Sequence, residues 1–136
     1  MKLSPYLVFN GQCEEAFKFY ETCMGGKIEG LFTYASSPAA GMVPPECGSK
    51  VMHARLSLEG QVLMACDSPP DHYKEPTGFS VSLEMKDPAD AERIFNALAE
   101  NGKVQMPLQK TFWSASFGMV VDRFGIPWMI NCEQPA

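Results

Sequence analysis

Two side chains that can do chemistry, His53 and Arg55, stand two residues apart in the segment KVMHARLSL, residues 50–58. This segment alternates between an apolar and a more polar face, as a half-buried strand does. His53 and Arg55 share the polar face, which we expect to point away from the covering helix. A guanidinium binds carboxylate or phosphate through two parallel hydrogen bonds, and an imidazole can act as a base near neutral pH. The pattern predicts a site for a small ligand with an anionic group.

A structural interpretation of the same two residues is equally open. Arg55 could form a salt bridge with Glu84 while His53 forms a hydrogen bond beside it. A buried charge has to be paired under either interpretation.

Other polar and aromatic residues could line the same site. Trp113 lies in QKTFWSASFG, residues 109–118, just ahead of a predicted strand, where an aromatic ring could form a pocket wall. Trp113 could instead cover a hydrophobic edge or lie in a dimer interface. The remaining candidates lie on the polar faces of predicted strands. The predicted ligand-binding residues are Tyr6, His53, Arg55, Ser82, Glu84, Trp113 and Asn131.

The cysteines and histidines do not form a metal-binding or disulfide pattern. The five cysteines are odd in number, widely spaced and without a Cys-x-x-Cys pair, so we expect reduced thiols. Cys13 lies in the first turn of a predicted helix, where the dipole can lower a thiol pKa, although a passive cysteine is the simpler interpretation. His53 and His72 are the two histidines. A displaced metal site built from His53 and Glu84 is a weaker alternative.

Size and charge narrow the classes of partner. The chain has 136 residues, a mass of 15.0 kDa and a net charge of −5, which fits one domain. It contains no run of Lys or Arg that would attract nucleic acid or an anionic membrane. Its apolar runs are shorter than the roughly 20 residues that span a bilayer, and its first residues do not read as a signal peptide. We therefore expect a cytoplasmic protein with small-molecule or protein partners.

The order strand, helix, three strands occurs twice along the chain. Shifting the apolar stripe of the first helix by 75 residues superimposes it on that of the second, and a shift of 65 sets Met64 on Met129. The second shift is smaller because the first half has a longer loop, residues 35–49. The stripes are Ala16, Phe19, Tyr20 and Cys23, then Ala91, Ile94, Phe95 and Leu98. We predict an α+β domain of two βαβββ modules, 1–67 and 76–136, joined by a turn-rich linker, 68–75. The modules would form a curved mixed sheet around a central cavity.

These modules resemble the vicinal oxygen chelate superfamily of glyoxalase, bleomycin-resistance and dioxygenase proteins. The resemblance rests on EEAFKFY in the first helix and DRFGIPWMINC in the last hairpin, and it covers essentially the whole chain. PYLVFNGQCEEAFKFY, KVMHARLSLEGQVLMACDSPP and GKVQMPLQKTFWSASFGMVVDRFGIPWMINC are similar to the PhnB-like branch, which carries the name 3-demethylubiquinone-9 3-methyltransferase. The resemblance implies the same fold and a homodimer.

The resemblance also implies where a metal would be bound. Enzymes of the superfamily take a His or similar ligand from the first strand of each module and a Glu from the last. Those positions map here near Pro5 and Ser80, and at Met64 and Met129. None of these side chains is a ligand for a hard or borderline divalent ion, and a thioether suits soft metals. Because Met often fills gaps in a core, core packing is the simpler interpretation, and we expect neither a metal nor another cofactor.

Three functions remain to be compared. A metal-free small-molecule binding module requires only Arg55, His53, Trp113 and a suitable shape, and we favour it. The alternative is a divalent-metal-dependent lyase, isomerase or dioxygenase, which the fold alone favours. Methyl transfer is not expected, because no G-x-G-x-x-G turn follows a strand to hold the methyl-donor cofactor.

Overall fold

The computed structural model describes residues 1–38, 41 and 43–133 of the chain. Contacts divide it into two compact units, Met1–Lys74 and Glu75–Ala136, with the division inside the predicted linker 68–75. Residues 39, 40 and 42 of the predicted loop 35–49, and residues 134–136 of the predicted second module, lie outside the described residues. The pairing of the modules around a central cavity stays a prediction.

The first unit contains four strands and one α-helix. Its elements are β1 Tyr6–Phe9, α1 Cys13–Met24, β2 Lys27–Thr33, β3 Val51–Leu58 and β4 Gln61–Asp67. Short 3-10 helices cover Pro45–Cys47 and Pro70–His72. The strands form one sheet in the order β1-β4-β3-β2, in which β1 and β4 are parallel and the other pairs are antiparallel.

The second unit repeats this architecture. Its elements are β5 Val81–Met85, α2 Pro88–Ala99, β6 Lys103–Gln109, β7 Ser114–Val121 and β8 Pro127–Glu133. The sheet order is β5-β8-β7-β6, again with one parallel pair, β5 and β8. The predicted α+β fold with two βαβββ modules is confirmed. The strand predicted from Phe79 begins only at Val81, and the Phe79 side chain is 54% exposed.

The helix boundaries follow from local sequence signals. Asp87 caps α2, because its side chain accepts a hydrogen bond from the backbone N–H of Ala89 at 2.9 Å, and Pro88 occupies the first turn. α1 ends at Gly25, whose φ of 78° places it in the left-handed region that glycine adopts without steric cost. Gln12, at the start of α1, makes no side-chain cap hydrogen bond.

The predicted apolar stripe is correct for α2 and partly wrong for α1. All four predicted residues of α2 are buried. In α1, Phe17 is fully buried, whereas Phe19 is only half-buried. The buried α1 residues follow helical spacing from Cys13, which places Phe17 on the inner face and turns Phe19 to its margin. They are Cys13, Ala16, Phe17, Tyr20 and Cys23.

Each sheet has one face against its own helix and one face turned away from it. Alternation along the strands separates the two, because successive side chains point to opposite sides. On the first sheet the helix side includes Phe9, Ala54 and Leu56, all buried. We call the opposite sides the first helix-free face (Tyr6, Val8, His53, Arg55, Met64, Cys66) and the second helix-free face (Ser82, Glu84, Phe117, Met119, Met129, Asn131). Neither of the α-helices in the described ranges is long and apolar enough to cross a membrane.

Candidate functional site

The first helix-free face brings together three of the predicted ligand-binding residues. The strand register sets Met64 of β4 beside Tyr6 on one side and Arg55 on the other. The Tyr6 hydroxyl oxygen lies 3.3 Å from Nδ1 of His53, and the two ring centroids are 5.9 Å apart. His53 and Arg55 therefore share a face with Tyr6, as the alternation of β3 predicts.

Arg55 is the cation of this face, and its surroundings leave room for a ligand. Its side chain is exposed, and no ion pair holds it within the described part of its unit. Its neighbour on β2 is Gly30, and the ring of Phe32 lies over this glycine, 3.2 Å from the position that a Cβ would occupy. The nearby carboxylate of Glu29 accepts a hydrogen bond from the Ser57 hydroxyl at 3.2 Å. The predicted pairing of Arg55 with Glu84 would join residues of different units and stays a prediction.

Tyr6 and Cys66 add no negative charge to this face at neutral pH. Burial raises the pKa of the Tyr6 phenol above its ordinary value, and interaction with Cys66 raises it further. Burial also raises the pKa of the Cys66 thiol, although a hydrogen bond with Tyr6 partly opposes the change. Cys66 is the one cysteine of the five that is not fully buried. The residues around Arg55 are thus compatible with an anion.

Cys13 is a buried thiol that is not activated, which agrees with the passive interpretation and not with a pKa lowered by the helix dipole. Its side chain is completely buried, and this burial raises the thiol pKa far above its ordinary value. The nearby carboxylate of Asp67 acts in the same direction. The effect of desolvation exceeds that of the helix dipole, so Cys13 is a packing residue.

The raised pKa of Cys13 predicts a loss of stability in alkaline solution. The contribution is fully present below the unfolded-state pKa, near 9.0, and is lost as pH rises from there towards the native pKa, because the unfolded chain releases the proton first. Each such thiol adds a slope of about 1.4 kcal/mol per pH unit. Urea unfolding at pH 8, 9 and 10 should therefore give a shallower decline for Cys13→Ala than for the wild type. Equal slopes of the unfolding free energy against pH in the two proteins would contradict the raised pKa of Cys13.

The second helix-free face brings together the predicted residues of the second unit. The register places Glu84 of β5 beside Asn131 of β8, and Asn131 beside Phe117 of β7. Ser82 lies beside Met129 in the neighbouring row. The ring of Trp113 meets that of Phe117 edge to face, with centroids 5.5 Å apart. Polar and aromatic groups are thus adjacent on this face.

Asn131 carries the most unusual polar atom of the second helix-free face. Its Oδ1 is buried and has no hydrogen-bond partner in the part of the chain that the structure describes. A buried acceptor without a donor costs about 1–3 kcal/mol, so such atoms often mark the place of a bound group or water. The alternation of β8 predicts the face of Asn131, but the sequence contains no signal for the unpaired oxygen.

The two methionines at the implied metal positions are equivalent in the two units. Met64 lies between Tyr6 and Arg55, and Met129 lies between Ser82 and Met119. Each is therefore on the last strand of its module and on the helix-free face. Both side chains are partly buried, as core filling or a cavity wall would require.

The donor atoms at these positions do not fit a hard or borderline divalent ion. Pro5 and Ser80 lie just ahead of β1 and β5, and the strand residues beside the methionines are Tyr6 and Ser82. Thioethers, a phenol and a hydroxyl offer no carboxylate or imidazole for such an ion. No group of three His, Cys, Asp or Glu side chains suited to a metal is found among residues 1–38, 41 and 43–133.

One surface cleft was not predicted from the sequence. It has a volume of about 400 Å³ and lies at the start of α1, between charged side chains that include Glu14, Lys18, Lys50 and Asp67. Lys18 pairs with Glu14 at 2.8 Å, and Nζ of Lys50 donates to the Gly11 carbonyl at 3.1 Å. These charges are held by the protein itself, so we assign the cleft no ligand.

Two βαβββ units with this sheet order define the fold of the vicinal oxygen chelate superfamily. The model of the family described as 3-demethylubiquinone-9 3-methyltransferase matches residues 1–131. The chain belongs to this family, a PhnB-like branch of the vicinal oxygen chelate fold.

Named relatives agree with this assignment. Protein YjdN of Escherichia coli strain K12 is 34% identical over 145 residues, and the alignment covers 99% of each chain. The crystal structure of PA1353 from Pseudomonas aeruginosa is 49% identical, with a TM-score of 0.91 and coverage of 99% of each chain.

More distant structures extend the same comparison. A Bacillus cereus structure described as a putative 3-demethylubiquinone-9 3-methyltransferase, PhnB protein, is 25% identical, with a TM-score of 0.81 and coverage of 97% of this chain and 99% of that one. A structure described as a possible glyoxalase from Bacillus cereus is 16% identical, with a TM-score of 0.61 and coverage of 95% and 96%. At this identity the last comparison shows the fold alone.

Proposed function

We propose that this chain is a metal-independent small-molecule binding module whose first helix-free face binds the anionic group of its ligand. The observation that carries the proposal is the exposed guanidinium of Arg55, which has no carboxylate partner within the described part of its unit. It stands on the same face as the Tyr6 and His53 pair. A free guanidinium on a strand, with glycine as its neighbour, can bind a carboxylate or phosphate through two hydrogen bonds.

The neutral side chains of Tyr6 and Cys66 support an anion over a cation at Arg55, whereas the carboxylate of Glu29, which accepts from Ser57, acts in the opposite direction. The Tyr6 phenol and Cys66 thiol have raised pKa values, so both are neutral near pH 7 and neither repels an anion. His53 offers a second ring nitrogen beyond the Nδ1 that faces Tyr6. Arg55 would supply the charge, while Tyr6 and His53 would fix the orientation of the bound group.

Binding is favoured over catalysis because the positions where the resemblance implies metal ligands carry no carboxylate or imidazole. Met64 and Met129 occupy the implied carboxylate positions, and a metal-dependent lyase, isomerase or dioxygenase is supported by the fold alone. Methyl transfer, named in the family description, would need a cofactor site for which the sequence offers no glycine-rich turn. The homodimer that the resemblance implies stays a prediction, which the molar mass from light scattering would test.

Arg55→Ala should weaken binding of a small aromatic carboxylate by roughly 10- to 100-fold, since a hydrogen bond to a charged group contributes about 1.5–3 kcal/mol. The probe is benzoate, with inorganic phosphate as a second anion, and the measurement is isothermal titration calorimetry. Arg93→Ala is the matched control, because Arg93 is an exposed arginine 3.5 Å from Asp90 on α2, the helix that covers the other side of the second sheet from its helix-free face.

The outcomes of this titration separate the alternatives. Binding to the wild type and the Arg93 variant, with loss in the Arg55 variant, supports the proposal. Equal affinity of the wild type and Arg55→Ala would contradict the role of Arg55, and the absence of binding of either anion to the wild type would overturn the anion site.

A further inference from the structure

We propose that the second helix-free face binds an organic cation that carries N–H donors on a flat group, such as an amidinium or guanidinium, between Glu84, Asn131 and Trp113. This inference rests on the proposed function in one respect, namely that helix-free faces of this chain bind small molecules. It concerns a different set of residues and a ligand of the opposite charge.

The register of the second sheet places the recognition groups in one row. Glu84, Asn131 and Phe117 are direct cross-strand neighbours on β5, β8 and β7. Neighbouring strands are about 4.8 Å apart, so side chains in such a row can contact the same small molecule. Gln109 of β6 continues the row beside Phe117. The carboxylate of Glu84 and the amide oxygen of Asn131 are therefore adjacent hydrogen-bond acceptors.

The unpaired oxygen of Asn131 indicates which kind of hydrogen-bonding group a ligand would supply at this position. Oδ1 is buried and accepts no hydrogen bond from any residue that the structure describes. Since an acceptor can be satisfied only by a donor, a ligand N–H or O–H would remove the cost of about 1–3 kcal/mol that the empty acceptor carries. The position therefore favours a ligand with donors over an ether, a ketone or a carboxylate.

Glu84 supplies the charge that selects a cation. Its side chain is exposed on the middle of β5, and it forms no ion pair in the described part of the second unit. A carboxylate beside the Asn131 oxygen would repel an anion and attract an amidinium, whose two parallel N–H groups match carboxylate geometry. The two acceptors thus select a positively charged donor group.

The aromatic residues next to this row favour a flat cation. Phe112 and Trp113 are 90% and 50% exposed, which is unusual for rings of this size. They meet edge to face with centroids 4.7 Å apart, and Trp113 contacts Phe117, the neighbour of Asn131. An indole face attracts cations and stacks with planar groups. The row therefore has charge, an acceptor and an aromatic wall for a planar cation.

The test compares four probes of similar size. Benzamidine has the charge and the N–H donors, phenyltrimethylammonium has the charge without donors, benzamide has donors without charge, and benzoate has the opposite charge. Calorimetry on Arg55→Ala, which lacks the proposed benzoate site, should rank benzamidine first. Adding Glu84→Gln to this variant should reduce the affinity for benzamidine at least tenfold. Glu92→Gln, at an exposed glutamate on α2, is the matched control and should bind benzamidine as the wild type does.

Indole fluorescence provides a second readout. Trp113 is half exposed whereas Trp128 is buried, so bound benzamidine should change the emission of Trp113 and leave that of Trp128 unaltered. The change should therefore disappear in Trp113→Phe. A change that persists in this variant would contradict the proposed position of the cation.

The outcomes distinguish this inference from the anion proposal. Benzamide binding as tightly as benzamidine, unchanged affinity in Glu84→Gln, or no binding of benzamidine to the wild type would each overturn the cation site. Arg55→Ala should leave benzamidine binding unchanged, and Glu84→Gln should not weaken benzoate binding. If one of the two ligands fails to bind while the other binds as expected, only the proposal for the first ligand is contradicted.

Discussion

Replacement of Asp122 by alanine should lower the free energy of unfolding of the second unit by about 3–5 kcal/mol. Asp122 follows β7 and is almost completely buried. Its Oδ1 accepts hydrogen bonds from the backbone N–H groups of Phe124 and Ile126 at 2.9 and 3.0 Å, and its Oδ2 accepts from Nε1 of Trp128 at 2.8 Å.

The size of this effect follows from what alanine leaves behind. Three donors would lose their acceptor inside a turn that has little access to water, and each unsatisfied donor costs about 1–3 kcal/mol before relaxation. The same carboxylate fixes the β7–β8 hairpin, since it binds both the turn backbone and the first part of β8. Losing it should therefore weaken the strands that carry Met129 and Asn131.

Urea unfolding followed by circular dichroism and by tryptophan fluorescence measures the loss. Asp122→Asn is the matched variant, because an amide oxygen can retain the two backbone hydrogen bonds while its nitrogen cannot accept from Trp128. We expect it to be destabilised less than Asp122→Ala. A change below about 0.5 kcal/mol in the alanine variant, the range of an ordinary surface substitution, would show that the hairpin does not depend on this carboxylate.

Replacement of Asp67 by alanine should destabilise the first unit by about 2–4 kcal/mol. The side chain is 1% exposed at the end of β4. Oδ1 accepts from the backbone N–H of Cys13 and Oδ2 from that of Val51, both at 2.9 Å. One carboxylate therefore joins the start of α1 to the start of β3.

Asp67 has this importance because α1 lacks its own cap. Gln12 makes no side-chain cap hydrogen bond, so a residue 54 positions from Cys13 satisfies a free N–H of the first turn. The negative charge is also favourable at the positive end of the helix dipole. The alanine variant would lose the acceptor and the charge together.

Two further variants are references for the unfolding free energy of Asp67→Ala measured in urea. Asp67→Asn retains one acceptor but turns an NH₂ group towards another N–H, so it should remain clearly destabilised. Asp87→Ala removes the exposed local cap of α2 and should cost only about 1 kcal/mol. If Asp67→Ala were no more destabilised than Asp87→Ala, the link between α1 and β3 would not be important for stability.

Local patterns in the sequence predict the helices and strands of this chain and the faces on which most of their side chains lie. Period-two alternation placed His53 and Arg55 on one side of β3, and helical spacing identified all four buried residues of α2. The repeated order of strands and helices gave the two βαβββ modules. These features depend on neighbours within a few residues, so a pattern in the chain is sufficient to predict them.

Features that depend on residues far apart in the chain could not be predicted from the sequence and are seen only in the folded structure. Burial raises the pKa of Cys13 although this residue lies in the first turn of a helix, and Phe17 lies on the inner face of α1 in place of Phe19. The carboxylate of Asp67 and the unpaired oxygen of Asn131 acquired their roles only when strands came into register. Desolvation and hydrogen-bond satisfaction are properties of the packed surroundings of an atom, and those surroundings are set by contacts that no local pattern encodes.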